Sequence, residues 1–171
     1  MTYATESIHQ HCTAQCRIDS PLGTMLLART GTGLAGAWFE SQKHHPDAID
    51  APERGDDPLL RETARQLRAY FAGEIDEFAL PLDLQGTAFQ QAVWRALLDV
   101  PPGHTSTSGA IARQVGAPQG SRAAGAAIGR NPVAIIVPCH RIVGSNGSLT
   151  GFAGGLKRKE HLLQHEGALL V

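Results

Sequence analysis

At 171 residues and 18.2 kDa, with 42% hydrophobic residues, the chain has material for one ordinary domain or two small ones, which excludes wholesale disorder. Met1 to Gln10 are polar, no stretch reaches the roughly 18 apolar residues of a membrane span, and an odd set of cysteines (Cys12, Cys16, Cys139) argues against a disulfide framework, so the reading is a soluble cytoplasmic protein. The formal charge of −1 conceals a division: residues 1–100 carry 8 Lys and Arg against 14 Asp and Glu, residues 101–171 carry 7 against 2, which assigns any polyanion-binding face to the C-terminal part.

Residues 14–39 read as strand-rich, with apolar runs punctuated by Pro21-Leu22-Gly23 and Gly36, and a hairpin is the expected unit. Gln42 to Gly55 lacks periodicity and reads as loop. Asp57 offers an N-cap ahead of Pro58, and Leu59, Leu60, Leu67, Tyr70 and Phe71 follow at helical spacing up to Gly73. Alternation of Phe78, Leu80, Leu82 and Leu84 suggests a strand feeding a linker near 80–86. Thr87 and Gln90 have capping-box spacing, and Phe89, Val93, Trp94, Leu97 and Leu98 form a helical stripe ending at Pro101-Pro102-Gly103.

Two short helices, Ser108 to Val115 and Ser121 to Ile128, flank Gly116-Ala117-Pro118, the spacing of a helix-turn-helix. The second, Arg122-Ala123-Ala124-Gly125-Ala126-Ala127, is slim enough to approach either another helix or a nucleic-acid groove. Ile135-Ile136-Val137 reads as a buried strand, 144–155 as a Gly-rich loop, and Leu156 to His165 as a closing helix stopped by Gly167. The architecture expected is α+β: a small α/β domain over 1–85 and an α-rich helix-turn-helix domain over 86–171.

Chemistry concentrates at Pro138-Cys139-His140-Arg141, with Glu166 27 positions beyond Cys139. A thiol attacks as thiolate, so it needs a base and a group that orients the base; Cys, His and Glu supply the three types. Neighbours on an extended chain point apart, so a proton would pass from Cys139 to His140 through a bridging water. From spacing alone adjacent Cys and His are a weak signal, and an inert buried cysteine is the commoner outcome.

Pro138-Cys139-His140-Arg141, with Gly151-Phe152-Ala153-Gly154-Gly155-Leu156 and His165-Glu166-Gly167 at matching intervals, resembles the active-site signature of the O6-alkylguanine-DNA alkyltransferases. The resemblance extends over Phe89-Gln90-Gln91-Ala92-Val93-Trp94, Arg122-Ala123, Asn131-Pro132, Ser20-Pro21-Leu22-Gly23 and Trp38-Phe39-Glu40-Ser41-Gln42-Lys43-His44-His45-Pro46, nearly the whole chain. It is to the bacterial type without the metal-binding, phosphotriester-repairing domain, and it implies a ribonuclease H-like N-terminal fold and a winged-helix-like C-terminal one.

The resemblance implies that Cys139 takes the alkyl group, once and irreversibly, that His140 accepts its proton through water, that Glu166 fixes the imidazole and that Asn131 stabilises the turn beneath them. It makes Ser108, Val137, Phe152, Ala153 and Gly154 the substrate contacts. Thr107, Arg122, Ala123, Ala124, Gly125, Ala127 and Arg141 become the DNA contacts, with Arg122 filling the stack left by a flipped base. The implied partner is duplex DNA carrying alkylated guanine, and O4-alkylthymine with it, met by a monomer whose cooperativity on DNA stays open; no cofactor is required. Most members place tyrosines where this chain has Ser108 and Phe152, which implies a slower transfer. Two other readings, a non-enzymatic lesion binder that flags damage and a helix-turn-helix regulator, leave Cys139, or His140 and Glu166, without a task. His9, His11, Cys12 and Cys16 match no strong zinc pattern, so no metal is expected, and Lys157, Arg158 and Lys159 read as a basic face near a helix start.

Overall fold

A computed structural model describes residues 11–169. The chain divides into two compact units, one running up to Thr87 and including Pro132–Ala134, the other made of Ala88–Asn131 and the chain from Ile135 onward. The sequence-based division between 85 and 86 did not anticipate that three residues from the middle of the second half would join the first unit. They do so by pairing with a strand: the Ala37 amide donates to Pro132 O (2.8 Å) and the Ala134 amide to Ala37 O (2.9 Å).

In the first unit β1 (Cys12–Ile18), β2 (Met25–Thr30) and β3 (Leu34–Phe39) form an antiparallel meander in the order β1-β2-β3, with Cys16 opposite Leu27 and Leu27 opposite Ala37. Ser20 and Gly23 exchange backbone hydrogen bonds across the first turn. Gly33 ends the second turn, where an added Cβ would lie 2.8 Å from Pro81 O, so only glycine lets 81–83 run alongside. The expected strand at 78–84 shrinks to one bridge: the Leu34 amide donates to Pro81 O and the Asp83 amide to Leu34 O, both at 2.8 Å. Pro81 has no N–H with which to extend a ladder.

The α1 helix (Pro58–Phe71) begins as the sequence indicates, with Asp57 accepting from the Leu60 amide at 3.0 Å and Pro58 in the first turn. It buries Leu60, Ala64, Leu67 and Tyr70 and leaves Arg61, Arg65 and Arg68 exposed. The long irregular segment before it is held by buried Gln15, whose amide donates to Ile49 O and Ala51 O at 2.7 Å each. Cys12 and Cys16 sit half-buried on β1; burial and the charge of Asp83 push the Cys12 thiol up to about 11, and burial raises Cys16 too. Among the described residues no group of His, Cys, Asp and Glu is arranged to hold a metal, and His9 lies outside them. No described helix is long and apolar enough to cross a membrane.

The second unit holds α2 (Ala88–Leu97), α3 (Ser108–Gln114), α4 (Ser121–Gly129) and α5 (Leu156–His165). Thr107 caps α3 by accepting from the Ala110 amide at 3.1 Å, and Gly116, at φ 81°, turns the chain toward α4, giving the expected helix-turn-helix. Trp94 of α2 is fully buried and donates from its indole nitrogen to Ala127 O of α4 at 2.8 Å. Because the alternate turns of α4 pack inward in this way, only part of its small-residue surface faces out.

The segment Ile135-Ile136-Val137 is buried as expected but is no strand: it is a succession of turns in which Ile135 adopts φ 72°. A β-branched residue in the left-handed region is a rare conformation, one that costs on the order of 1–3 kcal/mol and persists only where surrounding contacts enforce it.

Candidate active site

The turns after Ile135 deliver the nucleophile. Pro138 (φ −83°, ψ 62°) forms an inverse γ-turn in which the Cys139 amide donates to Val137 O at 2.8 Å, and Cys139–Arg141 then make one 3-10 turn. This turn is locked to Ser106, whose amide donates to Arg141 O while its carbonyl accepts from the Val143 amide, both at 2.9 Å. The sequence placed Cys139 on extended chain; compact turns carry it instead.

Asn131, buried at the end of α4, divides its amide hydrogens between Val137 O (2.8 Å) and Cys139 Sγ (3.1 Å). One side chain therefore both fixes the γ-turn and donates to the sulfur. The sulfur itself is buried, and desolvation pushes its pKa up to about 11 against the opposing pull of the Asn131 hydrogen bond and the charge of Lys159. The unassisted thiol is accordingly protonated at neutral pH, and the site needs a base.

His140 is completely buried and its Nε2 lies 2.8 Å from Glu166 Oε2. Glu166 follows the last turn of α5, and Arg141 grips the same carboxylate through Nε to Oε1 (2.8 Å) and a terminal nitrogen to Oε2 (3.0 Å), with its other terminal nitrogen on Val100 O (2.7 Å). The guanidinium is the buried cation that compensates Glu166. An anionic carboxylate can only accept, so Nε2 carries the proton and Nδ1 the lone pair. Nδ1 is buried and has no hydrogen-bond partner among the described residues. Burial outweighs Glu166 and holds the imidazole below its ordinary 6.5, so it is neutral and able to accept a proton at neutral pH.

The structure thus brings Cys139, Asn131, His140 and Glu166 together. Arg141, expected to touch DNA, is instead buried and spends its guanidinium on Glu166 and Val100. On α4, Arg122 and Ala123 are exposed and Gly125 half-exposed, whereas Ala124 and Ala127 point into the core and cannot line a groove. Thr107 is occupied as a helix cap, and Ser108 begins α3 half-buried. Val137, expected to touch the substrate, is fully buried, and its carbonyl already accepts from Asn131 and the Cys139 amide. In the Gly-rich loop Phe152 and Ala153 are half-buried, and the Phe152 ring lies so close over Gly154 that a Cβ there would come within 2.5 Å of it.

Lys159 is the residue the sequence misplaced. It is not part of an exposed basic face: it is 1% exposed and its ammonium donates to Ile142 O and, at 3.2 Å, to Thr150 O, joining the nucleophile's segment to the middle of the Gly-rich loop. Its charge favours the Cys139 thiolate, and burial lowers its own pKa. No sequence signal separates it from Lys157 and Arg158 except the period of α5, which puts it on the face of Leu162 and Leu163.

A buried thiol with a hydrogen-bond donor on its sulfur, and a neighbouring imidazole oriented by a carboxylate, defines a protein built to use cysteine as a nucleophile. The family models that match the chain are the 6-O-methylguanine DNA methyltransferase ribonuclease-like domain, over residues 16–84, and the DNA binding domain of the same family, over residues 88–168. The methylated-DNA--protein-cysteine methyltransferase of Mycobacterium leprae is 50% identical over 157 residues, covering 91% of this chain and 92% of that protein. The protein of that name from Methanosarcina acetivorans is 48% identical over 150 residues, covering 88% and 96%. Among solved structures, Mycobacterium tuberculosis OGT in complex with DNA superposes with a TM-score of 0.84 at 46% identity, covering 91% of this chain and 94% of that one. The chain belongs to the 6-O-methylguanine DNA methyltransferase family.

Proposed function

We propose that this protein repairs DNA by transferring the alkyl group of an O6-alkylated guanine, flipped from the duplex, to Cys139. The observation that carries the reading is the arrangement at the Cys139-His140 turn: Asn131 donating to Sγ at 3.1 Å, and His140 held at 2.8 Å by Glu166 with Nδ1 unpartnered among the described residues. In the reaction the Cys139 proton passes to His140 Nδ1 through a water, a sulfur–carbon bond forms in line as the carbon–O6 bond breaks, and guanine leaves with the electron pair, to be reprotonated at the base. Glu166, itself compensated by Arg141, stabilises the imidazolium. The thioether has no group beside it that could reverse the transfer, so each molecule acts once. No cofactor enters the scheme.

The helix-turn-helix supplies the approach to DNA, with Arg122 and the exposed small residues of α4 against the minor groove. O4-alkylthymine fits the same displacement chemistry. Ser108 and Phe152, which replace tyrosines usual in the family, remove two hydroxyl donors, so Ser108→Tyr is expected to raise the single-turnover rate constant; an unchanged rate would show that the missing phenol has no role here.

Mixing the protein with a duplex containing O6-methylguanine tests the main claim. One methyl group should appear on the peptide carrying Cys139, in step with loss of the lesion, and Cys139→Ala should bind the duplex without repairing it. Repair that leaves the protein unmodified, or a methyl group on another residue, would refute the assignment.

A further inference from the structure

Between β1 and α1 of the first unit lies an open groove of about 620 Å³, lined by Arg17, Arg61, Arg65 and Arg68 with Glu62 as the acid among them. This concentration of guanidinium groups runs against its setting, since residues 1–100 carry 14 acidic side chains against 8 basic ones. Two of the four are already neutralised: Arg17 pairs with Glu40 (2.9 Å) and Glu53 (2.7 Å), and Arg65 donates from Nε to both oxygens of Glu62 at 2.9 Å. Arg61 and Arg68 are exposed, and among the described residues neither guanidinium has an acidic partner.

The spacing of these cations selects the kind of anion. Arg61, Arg65 and Arg68 stand at i, i+4 and i+7, on one face of α1, and the two unpaired groups are separated by about 10 Å along the axis. Like charges at such spacings repel one another along a helix, a cost that an extended anion lying beside it removes. Phosphates of one strand recur roughly every 3.4 Å along the axis of a duplex and lie further apart along the strand itself, so Arg61 and Arg68 can each meet a separate phosphodiester. Guanidinium forks suit phosphate oxygens, and the half-buried Ile18 gives the groove an aliphatic patch beside them.

We propose that the groove between β1 and α1 is a second site for the DNA phosphodiester backbone, separate from the helix-turn-helix. The choice of DNA among polyanions rests on the repair function proposed above; the groove and its unpaired cations do not.

The test is the salt dependence of binding to an undamaged duplex, measured with the full chain and with Arg61→Gln/Arg68→Gln, alongside single-turnover methyl transfer at saturating lesion-containing DNA. Each phosphate contact contributes about 0.9 to the slope of log K against log salt, so the double variant should bind with a slope shallower by about 2, each single variant by about 1. Transfer to Cys139 at saturation should be unchanged. Glutamine is a good helix former and both positions face solvent, so the melting temperature serves to confirm the fold. Lys43→Gln, at an exposed position outside the groove, removes a charge of the same sign and should leave the slope as it was. An unaltered slope in the double variant overturns the proposal, whether the groove then takes an acidic peptide or nothing. So does an equal change in Lys43→Gln, which would reduce the effect to the general field of the protein. Failure of methyl transfer in the unaltered protein would instead count against the repair function, and the slopes would still decide the groove.

Discussion

At Cys139 two opposing effects set the chemistry. Desolvation drives the thiol up to about 11, while Asn131 and Lys159 act to keep the thiolate within reach. The Lys159 ammonium donates to backbone carbonyls, and its charge favours the Cys139 thiolate. Lys159→Met keeps most of the volume and removes the charge. It is expected to slow alkyl transfer, by about tenfold if the charge lowers the barrier by about 1.4 kcal/mol, and to slow the reaction of Cys139 with iodoacetamide in parallel. A variant with slower transfer but unchanged iodoacetamide reactivity would make Lys159 merely a clip for the Gly-rich loop. His140 brings a pH dependence whose direction follows from its environment. Its folded-state pKa lies below the unfolded 6.5, so the native state binds fewer protons near that pH. The stability this contributes is present above 6.5 and is lost as pH falls through the lowered folded value. Transfer should share this acid limb, because a protonated Nδ1 can take nothing from the thiol. Rates measured from about pH 5 to 8 should be flat at the upper end and fall only below 6.5; a midpoint above 6.5 would contradict the buried, neutral imidazole.

Among the elements, α4 carries the proposed DNA face. Its small residues are not equivalent: Ala123 and Ala126 are exposed, whereas Ala124 is wholly buried and Ala127 nearly so. Ala126→Glu is expected to weaken duplex binding through repulsion from phosphate while leaving the melting temperature nearly unchanged. Ala124→Leu should cost about 1–3 kcal/mol of stability by overpacking, seen in urea denaturation, whatever it does to binding. Equal effects of the two on binding and on melting would mean that α4 has no distinct DNA face. The same elements explain what the sequence disclosed. Helix boundaries were legible because they depend on local chemistry: Asp57 and Pro58 start α1, Thr107 caps α3, and Gly116 ends it. Cys139, His140 and Glu166 were legible as residue types that nucleophilic catalysis requires. The conformation of Ile135 was not, because an Ile-Ile-Val run has the composition of a strand, whereas the chain here turns between Asn131 and Val137, which are joined by the Asn131 amide on Val137 O. Arg141 and Lys159 were misread for a related reason: a basic side chain is expected in solvent, and only the fold reveals that Glu166 and two carbonyls draw them inward.

On the scale of the whole molecule, the boundary that family models and composition suggest near residue 87 is not a place where the chain can be cut without loss. Pro132–Ala134 belong to the first unit, where Val133 is fully buried and the backbone pairs on both sides of Ala37. They also sit within the short stretch that joins Asn131 to the turns carrying Cys139, so the segment that positions the nucleophile is anchored through the β3 edge. A fragment beginning at Ala88 would leave the Ala134 amide and the Pro132 carbonyl without partners, at about 1–3 kcal/mol for each group if they stay buried, and would expose Val133 to water. Against a domain stability of roughly 5–15 kcal/mol, this is enough to loosen the site. The fragment 88–171 is therefore expected to unfold at lower urea concentration than the full chain and to transfer a methyl group to Cys139 more slowly, with the first unit added in trans restoring neither unless it takes up residues 132–134. Full activity and an unshifted urea midpoint in the isolated fragment would show that pairing with Ala37 contributes nothing to holding the nucleophile in place.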